Sequence, residues 1–145
     1  MRRVNLFDRS DDRVSERPGY RWRGSGVGSA IGAAAIGGSV YELDEEERTF
    51  PFHFHHGMEE WVLVLSGSPS LRTPTGESKL RAGDLRCFPV GPEGAHQVRG
   101  PGTVLILSAT STPETVEYPE SGKLGATPPR KIFRVGDAVD YWDGE

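Results

Sequence analysis

The stretch PFHFHHGMEEWVLVLSG, residues 51–67, decides how the rest of the chain is interpreted. Alternate residues of an extended strand point to the same face, so His53 and His55 are expected to project side by side. After a short kink comes WVLVL, residues 61–65, the most strand-like run in the chain because it combines β-branched and aromatic side chains. The pattern therefore predicts two strands, the first carrying two imidazoles on one face.

Two carboxylates, Glu59 and Glu60, lie between these strands. If the strands pair, one of the carboxylates comes back opposite the two imidazoles. Two neutral imidazoles and one carboxylate form most of a site for a first-row transition metal. The only histidine outside the stretch is His96, which is the candidate for a fourth ligand.

The spacing of these residues resembles the first signature of the cupin superfamily, G-x5-H-x-H-x(3,4)-E-x6-G. His53, His55, Glu60 and Gly67 fit the end of that signature without a gap. Glu59 also fits the shorter histidine-to-glutamate spacing, but seven residues lie between it and Gly67, whereas the signature has six. Glu60 is therefore the predicted ligand.

A second cupin signature, G-x5-P-x-G-x2-H-x3-N, is matched in its first half by GDLRCFPVG, residues 83–91. The loop that follows, residues 92–95, delays His96 by two positions relative to the signature. The family's final asparagine is replaced by Gly100, and the opening glycine of the first signature is replaced by Glu47. The two linked signatures in the right order still resemble a small single-domain cupin.

This resemblance implies an all-β fold, a single cupin-type antiparallel β-barrel (a double-stranded β-helix or jelly-roll) with N- and C-terminal extensions. It also implies one divalent transition metal ion, Fe, Mn, Ni, Co, Cu or Zn, inside the barrel. The implied metal ligands are His53, His55, Glu60 and His96.

Two functions follow from the resemblance, because the fold does not fix the activity. One is a metal-dependent enzyme of the dioxygenase, isomerase or decarboxylase type, acting on a small polar, aromatic-acid or carbohydrate-like molecule. Glu59 and His56 are then the candidates for proton transfer beside the metal. The alternative is a non-enzymatic small-ligand-binding or sensor cupin. The chain lacks a helix-turn-helix pattern, which argues against a transcription regulator.

Composition is consistent with this interpretation. The chain has 145 residues, 35% of them hydrophobic, with 19 glycines and 11 prolines, which favours one all-β domain with many turns. The net charge of −4 gives no electrostatic footprint for nucleic acid, and no apolar run approaches a membrane span. A single cysteine, Cys87, excludes an internal disulfide and indicates a reducing, cytoplasmic compartment. Cys87 itself is expected to be a small buried hydrophobe.

The chain divides into three predicted segments. Residues 1–38 form an N-terminal arm with an edge strand at 20–23, residues 39–110 the barrel core, and residues 111–145 an extension with a last strand at 131–135. The extensions outside the barrel favour a homodimer. The other expected partner is a small-molecule ligand.

Three further regions give specific expectations. Glycine-rich residues 24–38 contain no G-x-G-x-x-G, so they predict close backbone packing and no dinucleotide loop. Residues 109–130 are rich in proline and glycine and are expected to be loop-like. The aromatic tail, residues 137–145, is expected to dock on the barrel or on a neighbouring subunit.

Overall fold

The computed structural model describes residues 2–110 and 112–145, so Met1 and Ser111, which open two of the predicted segments, lie outside the described residues. Within those ranges the chain forms thirteen β-strands, one short α-helix and three 3-10 turns. The strands are β1 (Arg13–Arg17), β2 (Tyr20–Ser25), β3 (Ile36–Leu43), β4 (Phe54–His55), β5 (Glu60–Gly67), β6 (Ser70–Thr73), β7 (Gly76–Lys79), β8 (Leu85–Phe88), β9 (Gln97–Arg99), β10 (Gly102–Ala109), β11 (Glu114–Tyr118), β12 (Lys123–Thr127) and β13 (Lys131–Arg134). Helix α1 is Val27–Ile31, and the 3-10 turns are Pro92–Gly94, Pro119–Ser121 and Val135–Asp137.

The strands form three antiparallel sheets. A six-stranded sheet has the order β1-β2-β3-β10-β5-β8, a four-stranded sheet β13-β12-β11-β4, and a three-stranded sheet β7-β6-β9. An isolated bridge between His53 and His96 lies outside these sheets. The all-β, antiparallel prediction is confirmed.

The core follows from the period-two alternation of the strands. On β5, Glu60, Val62 and Val64 point inward and are buried, whereas Trp61 is exposed on the outer face. Buried side chains of the six- and three-stranded sheets form the main core, to which β5 contributes Val62 and Val64. Burying each such side chain contributes about 1.5–3 kcal/mol. A second cluster on the outer face packs Val27 of α1 on the same sheet.

The residue that replaces the family's opening glycine anchors the N-terminal strands. Glu47 is buried, and its carboxylate accepts a hydrogen bond from the Arg21 backbone N–H at 2.9 Å and one from Arg21 Nε at 2.7 Å. This departure from the signature therefore fastens β2 to the segment that precedes the first two histidines.

Three strand-level expectations are wrong. β4 does not pair with β5, because β4 pairs with β11 while β5 lies between β10 and β8. Residues 109–130 are not loop-like, because they contain β11 and β12. The strand predicted at 20–23 exists as β2, but it is not an edge, because β1 covers it. The last strand predicted at 131–135 is confirmed as β13.

The glycine-rich region packs closely, as predicted, although it includes the short helix α1. A Cβ atom on Gly24 would lie 2.1 Å from the Val40 carbonyl oxygen, and one on Gly28 would lie 2.7 Å from the Gly38 nitrogen. The backbones of α1, β2 and β3 therefore approach each other as only glycine allows.

The expectation that Cys87 is buried is wrong, and so is the first of the two alternatives for the tail, docking on the barrel of the same chain. Cys87 is exposed, because it lies opposite Trp61 in the β5–β8 pair and shares its outward face. Tyr141 and Trp142 of the tail are exposed by 84% and 72%, so the tail does not dock on the sheets of its own chain. No described helix is long and apolar enough to cross a membrane.

Candidate metal centre

Four predicted ligand residues come from separate elements and meet inside the fold. His55 lies on β4, Glu60 opens β5, and the backbones of His53 and His96 hydrogen-bond to each other at 3.2 and 2.9 Å. His53, Glu60 and His96 are buried, and only 11% of the His55 side chain is exposed. The sheet pairing that the sequence suggested is absent, yet Glu60 still faces the histidines, because it projects from the opposing six-stranded sheet.

One oxygen of Glu60 faces the Nε2 atoms of all three histidines. Glu60 Oε2 lies 3.0 Å from His96 Nε2, 3.8 Å from His55 Nε2 and 3.9 Å from His53 Nε2. The donor atoms of His53, Glu60 and His96 all lie within 4.8 Å of one another. One ion placed among them can therefore contact all three, and such a set of imidazole and carboxylate donors suits a first-row transition metal.

The other ring nitrogen of each histidine has an acceptor. His53 Nδ1 donates to the Pro51 carbonyl at 2.8 Å, and His96 Nδ1 donates to the Gly94 carbonyl at 2.9 Å. Because a carbonyl oxygen can only accept, these contacts place the proton on Nδ1. In the neutral rings, Nε2 then presents a lone pair to the centre, which is the form that binds metal.

His55 follows the same pattern with a carboxylate. Its Nδ1 lies 3.2 Å from Oε1 of Glu114, the first residue of β11, while its Nε2 is buried without a hydrogen-bond partner. A buried nitrogen without a partner is costly, typically about 1–3 kcal/mol. Glu114 is itself buried, and its Oε2 also lacks a partner.

The protonation states follow from burial and neighbouring charges. Burial and the nearby His96 lower the pKa of His53 to about 4. Burial alone would raise the pKa of Glu60, but the contacts with His55 and His96 outweigh it and lower the pKa to about 2. Burial would lower the pKa of His55, but Glu60 and Glu114 outweigh it and raise the pKa. At neutral pH the centre therefore holds an ionised Glu60 and a neutral His53.

The two-residue extension before His96 fixes that ring. Residues Pro92–Gly94 form a 3-10 turn whose last carbonyl accepts the His96 Nδ1 hydrogen bond. A Cβ atom on Gly94 would lie 1.8 Å from the Pro89 carbonyl oxygen, so the turn needs glycine there. Phe88 stacks on the His96 ring with centroids 3.8 Å apart. The longer loop thus shapes the centre without covering it.

Glu59 and His56, the predicted proton-transfer groups, are not brought to the centre. Glu59 Oε1 accepts a hydrogen bond from Trp61 Nε1 at 2.6 Å on the exposed side of β5. His56 Nε2 lies 3.1 Å from Glu117 Oε2, and this pair is exposed.

Glu114 is the functional residue that sequence reasoning missed. It lies in the region expected to be a loop, and no motif contains it. The alternation of ETVEY, residues 114–118, was the available signal, because it places Glu114, Val116 and Tyr118 on one face of a strand.

A cavity of about 320 Å³ opens onto the centre. Its wall includes three of the predicted ligands, His53, His55 and Glu60, and the hydroxyl-bearing side chains Ser39, Tyr41, Ser108 and Tyr118. Burial raises the pKa of both tyrosines. A small molecule in this cavity therefore meets the centre on one side and a mixture of neutral hydroxyl groups and apolar side chains on the others.

Neither models of protein families nor curated proteins give a match to this sequence. Among solved structures, a sugar phosphate isomerase of the cupin superfamily from Silicibacter pomeroyi superposes with a TM-score of 0.80 at 21% identity, over 97% of this chain and 98% of its own. The chain has the cupin fold. The jelly-roll prediction is thereby confirmed.

Two more structures share this cupin fold. A candidate sugar phosphate isomerase from Acidithiobacillus ferrooxidans superposes with a TM-score of 0.76 at 24% identity, over 85% of this chain and 82% of its own. The polyketide cyclase RemF from Streptomyces resistomycificus gives 0.60 at 24% identity, over 79% and 83%. At such identities the likeness establishes the fold, and function must be argued from the site.

Proposed function

We propose that this cupin-fold chain holds one divalent transition metal ion through His53, His55, Glu60 and His96. The observation that carries the proposal is the 3.0 Å contact between His96 Nε2 and Glu60 Oε2. In a neutral His96 ring the proton lies on Nδ1, which donates to the Gly94 carbonyl, so the contact between Nε2 and Glu60 joins two acceptors. Two buried acceptors at that distance need a cation between them, either a second proton on the ring or a metal ion.

A metal ion satisfies more of the centre than a proton does. A proton shared by His96 and Glu60 leaves the buried Nε2 of His55 without a partner. A metal ion would use that lone pair together with those of His53 and His96. When bound, such an ion supplies a Lewis acid and a template for an oxygen-bearing ligand.

The residues around the centre favour a small polar molecule as the ligand. Ser39 and Ser108 offer hydroxyl groups along the cavity wall. The carbohydrate-like class is supported by the sugar phosphate isomerase of similar fold. In an isomerase of this kind, the chain's own residues would hold the ligand's oxygen atoms and restrict water.

The alternative, a non-enzymatic ligand-binding protein, is favoured by one specific observation. Apart from the proposed metal ligands, the titratable groups that line the cavity are Tyr41 and Tyr118. Burial raises their pKa values, so neither is a ready base at neutral pH. Turnover would then need a proton acceptor supplied by the ligand or by a metal-bound water.

Two exposed features of the chain bear on its assembly and location. The exposed aromatic rings Tyr141 and Trp142 favour a second copy of the chain as the partner. An exposed, unpaired Cys87 favours a reducing, cytoplasmic compartment.

Elemental analysis of the purified protein tests the metal site. We expect about one equivalent of Fe, Mn, Ni, Co, Cu or Zn in the wild type, and loss of that metal in a His53→Ala, His55→Ala double variant. The same amount of metal in both proteins, or none in the wild type after reconstitution, would contradict the proposal. Screening the metal-loaded protein against carbohydrates and hydroxy acids for product, and not only for binding, separates the enzyme from the ligand-binding alternative.

A further inference from the structure

The N-terminal strand β1 brings one arginine beside a serine that lines the metal cavity. In the antiparallel ladders, Arg13 of β1 pairs with Gly24 of β2, and Gly24 pairs with Tyr41 of β3. Directly paired residues share a face, so Arg13 lies on the inward face that carries Tyr41. The arginine side chain crosses β2, and its Nη1 lies 3.5 Å from Ser39 Oγ. Both Ser39 and Tyr41 line the cavity.

Gly26 provides the space for the guanidinium. A Cβ atom on Gly26 would lie 2.4 Å from Arg13 Nη2. The backbone of Gly26 has φ −83°, which other residues also adopt, so the conformation does not explain the glycine. The space beside Gly26 is instead filled by the end of the Arg13 side chain.

The charge of Arg13 is uncompensated in the part of the chain that the structure describes, where it makes no ion pair with a carboxylate. Three nearby arginines differ from it. Arg9 pairs with Asp11, Arg21 with Glu47 and Arg23 with Glu42.

Among the described residues that line the cavity there is no lysine or arginine, while Glu60 contributes a negative charge. An anionic ligand would be repelled by that carboxylate unless cations met it at both ends. A metal ion would supply one of these charges at the centre, and Arg13 stands beside Ser39 to supply the other.

We propose that Arg13 binds the anionic group, a carboxylate or a phosphate, of a ligand whose other oxygen atoms lie at the metal centre. This inference rests on the proposed metal-binding function and names the ligand class, which is a small hydroxy acid or polyol carrying a second anionic group. A guanidinium recognises either anion through charge-assisted hydrogen bonds.

Two matched pairs of probes test the inference by calorimetry on the Co(II)-reconstituted full chain. Malate is compared with lactate, and 3-phosphoglycerate with glycerate. Each pair shares an α-hydroxy acid end, and only the first member has an additional anionic group. The first pair reports a carboxylate and the second a phosphate. The visible spectrum of Co(II) reports independently whether the probe reaches the metal.

We expect the doubly anionic member of at least one pair to bind about tenfold tighter than its partner, which corresponds to one charge-assisted contact. The preference should disappear in Arg13→Gln, return partly in Arg13→Lys and persist in Arg17→Gln. Arg17 is the matched control because it lies on the same face of β1 but lines a different surface cleft.

Equal binding within both pairs by the wild type would overturn the inference, as would a preference that survives Arg13→Gln. A preference lost equally in Arg17→Gln would also overturn it, because long-range charge would then explain the effect. Co(II) content, measured in every variant, separates this failure from that of the metal site. A chain that takes up no Co(II) refutes the metal-binding function, whereas full uptake without a charge preference refutes only the role of Arg13.

Discussion

Two histidine–carboxylate pairs join β11 to β4 and to the residue that follows β4, and they differ mainly in burial. His55 Nδ1 lies 3.2 Å from Glu114 Oε1, and the side chains are 11% and 4% exposed. His56 Nε2 lies 3.1 Å from Glu117 Oε2, and the side chains are 45% and 33% exposed. Both pairs lie between the β4 region and β11, and their distances are almost the same.

The difference shows that residue type and distance do not make a functional pair. In the buried pair, Glu114 accepts a hydrogen bond from His55 Nδ1, so His55 Nε2 faces Glu60 and the other histidines. In the exposed pair, the ring nitrogen nearest the carboxylate is the outward one, and water competes with the contact. An exposed ion pair of this kind contributes little, about 0–1 kcal/mol. The position of each pair relative to the candidate metal centre therefore distinguishes the two pairs.

The largest expected contrast comes from the histidines themselves. His55→Ala should lower the affinity for the proposed metal by more than about 100-fold, because it removes a direct donor and exceeds the effect of losing an outer hydrogen bond. His56→Ala should leave the affinity unchanged. Competition with a chromophoric chelator measures both. Equal losses in the two variants would mean that His56 is a ligand and that the observed geometry is not the binding geometry.

The carboxylates give the next contrast. Glu114→Gln should reduce metal affinity by about 10- to 100-fold, because the amide holds the His55 ring less firmly and no longer makes its Nε2 a stronger donor. Glu117→Gln is the matched control and should have no effect. The same chelator competition is the measurement, with thermal melting to confirm that both variants are folded. Wild-type affinity in Glu114→Gln would show that His55 does not depend on this carboxylate.

The histidine stretch predicted much of the fold, because the spacing of residues within one strand is a local property of the sequence. The i and i+2 spacing predicted that the His53 and His55 rings lie side by side, and their centroids are 5.1 Å apart. The run at 61–65 predicted a strand, which is confirmed as β5. What could not be predicted was which strands are partners. β4 pairs with β11, whose residues lie about sixty positions further along the chain, and no local pattern encodes that contact.

Glu114 shows why part of the site was hidden. The prolines around 109–130 indicated a loop, and a surface carboxylate in a loop is the ordinary expectation. Its role depends on a long-range β pairing that places it against His55. Arg13 was hidden for a similar reason, because its reach to Ser39 depends on the register that puts Gly24 between them. In both cases the contact that suggests a role for the residue is made by a neighbour that only the tertiary fold brings close.

The last contrast is in the pH dependence of the metal-free protein. Because the folded-state pKa of His53 is about 4, below the ordinary 6.5, the unfolded chain takes up the proton first as the pH falls. The stability associated with this neutral ring is complete above pH 6.5 and is lost between pH 6.5 and 4. The full loss is about 3 kcal/mol at most. Glu60, with a pKa of about 2, acts in a lower range, since its contribution is lost as the pH falls below about 4.5.

Urea unfolding of the metal-free protein between pH 7 and pH 4 measures this dependence. His53→Gln should flatten the fall in unfolding free energy, whereas His56→Gln, which removes a half-exposed ring, should leave the slope as in the wild type. The raised pKa of His55 has the opposite sign, because its stabilising contribution is present below pH 6.5 and is lost as the pH rises through the folded-state pKa. A slope unaffected by His53→Gln would mean that the ring is solvated in the metal-free state, and that the buried centre forms only when a cation joins the histidines to Glu60.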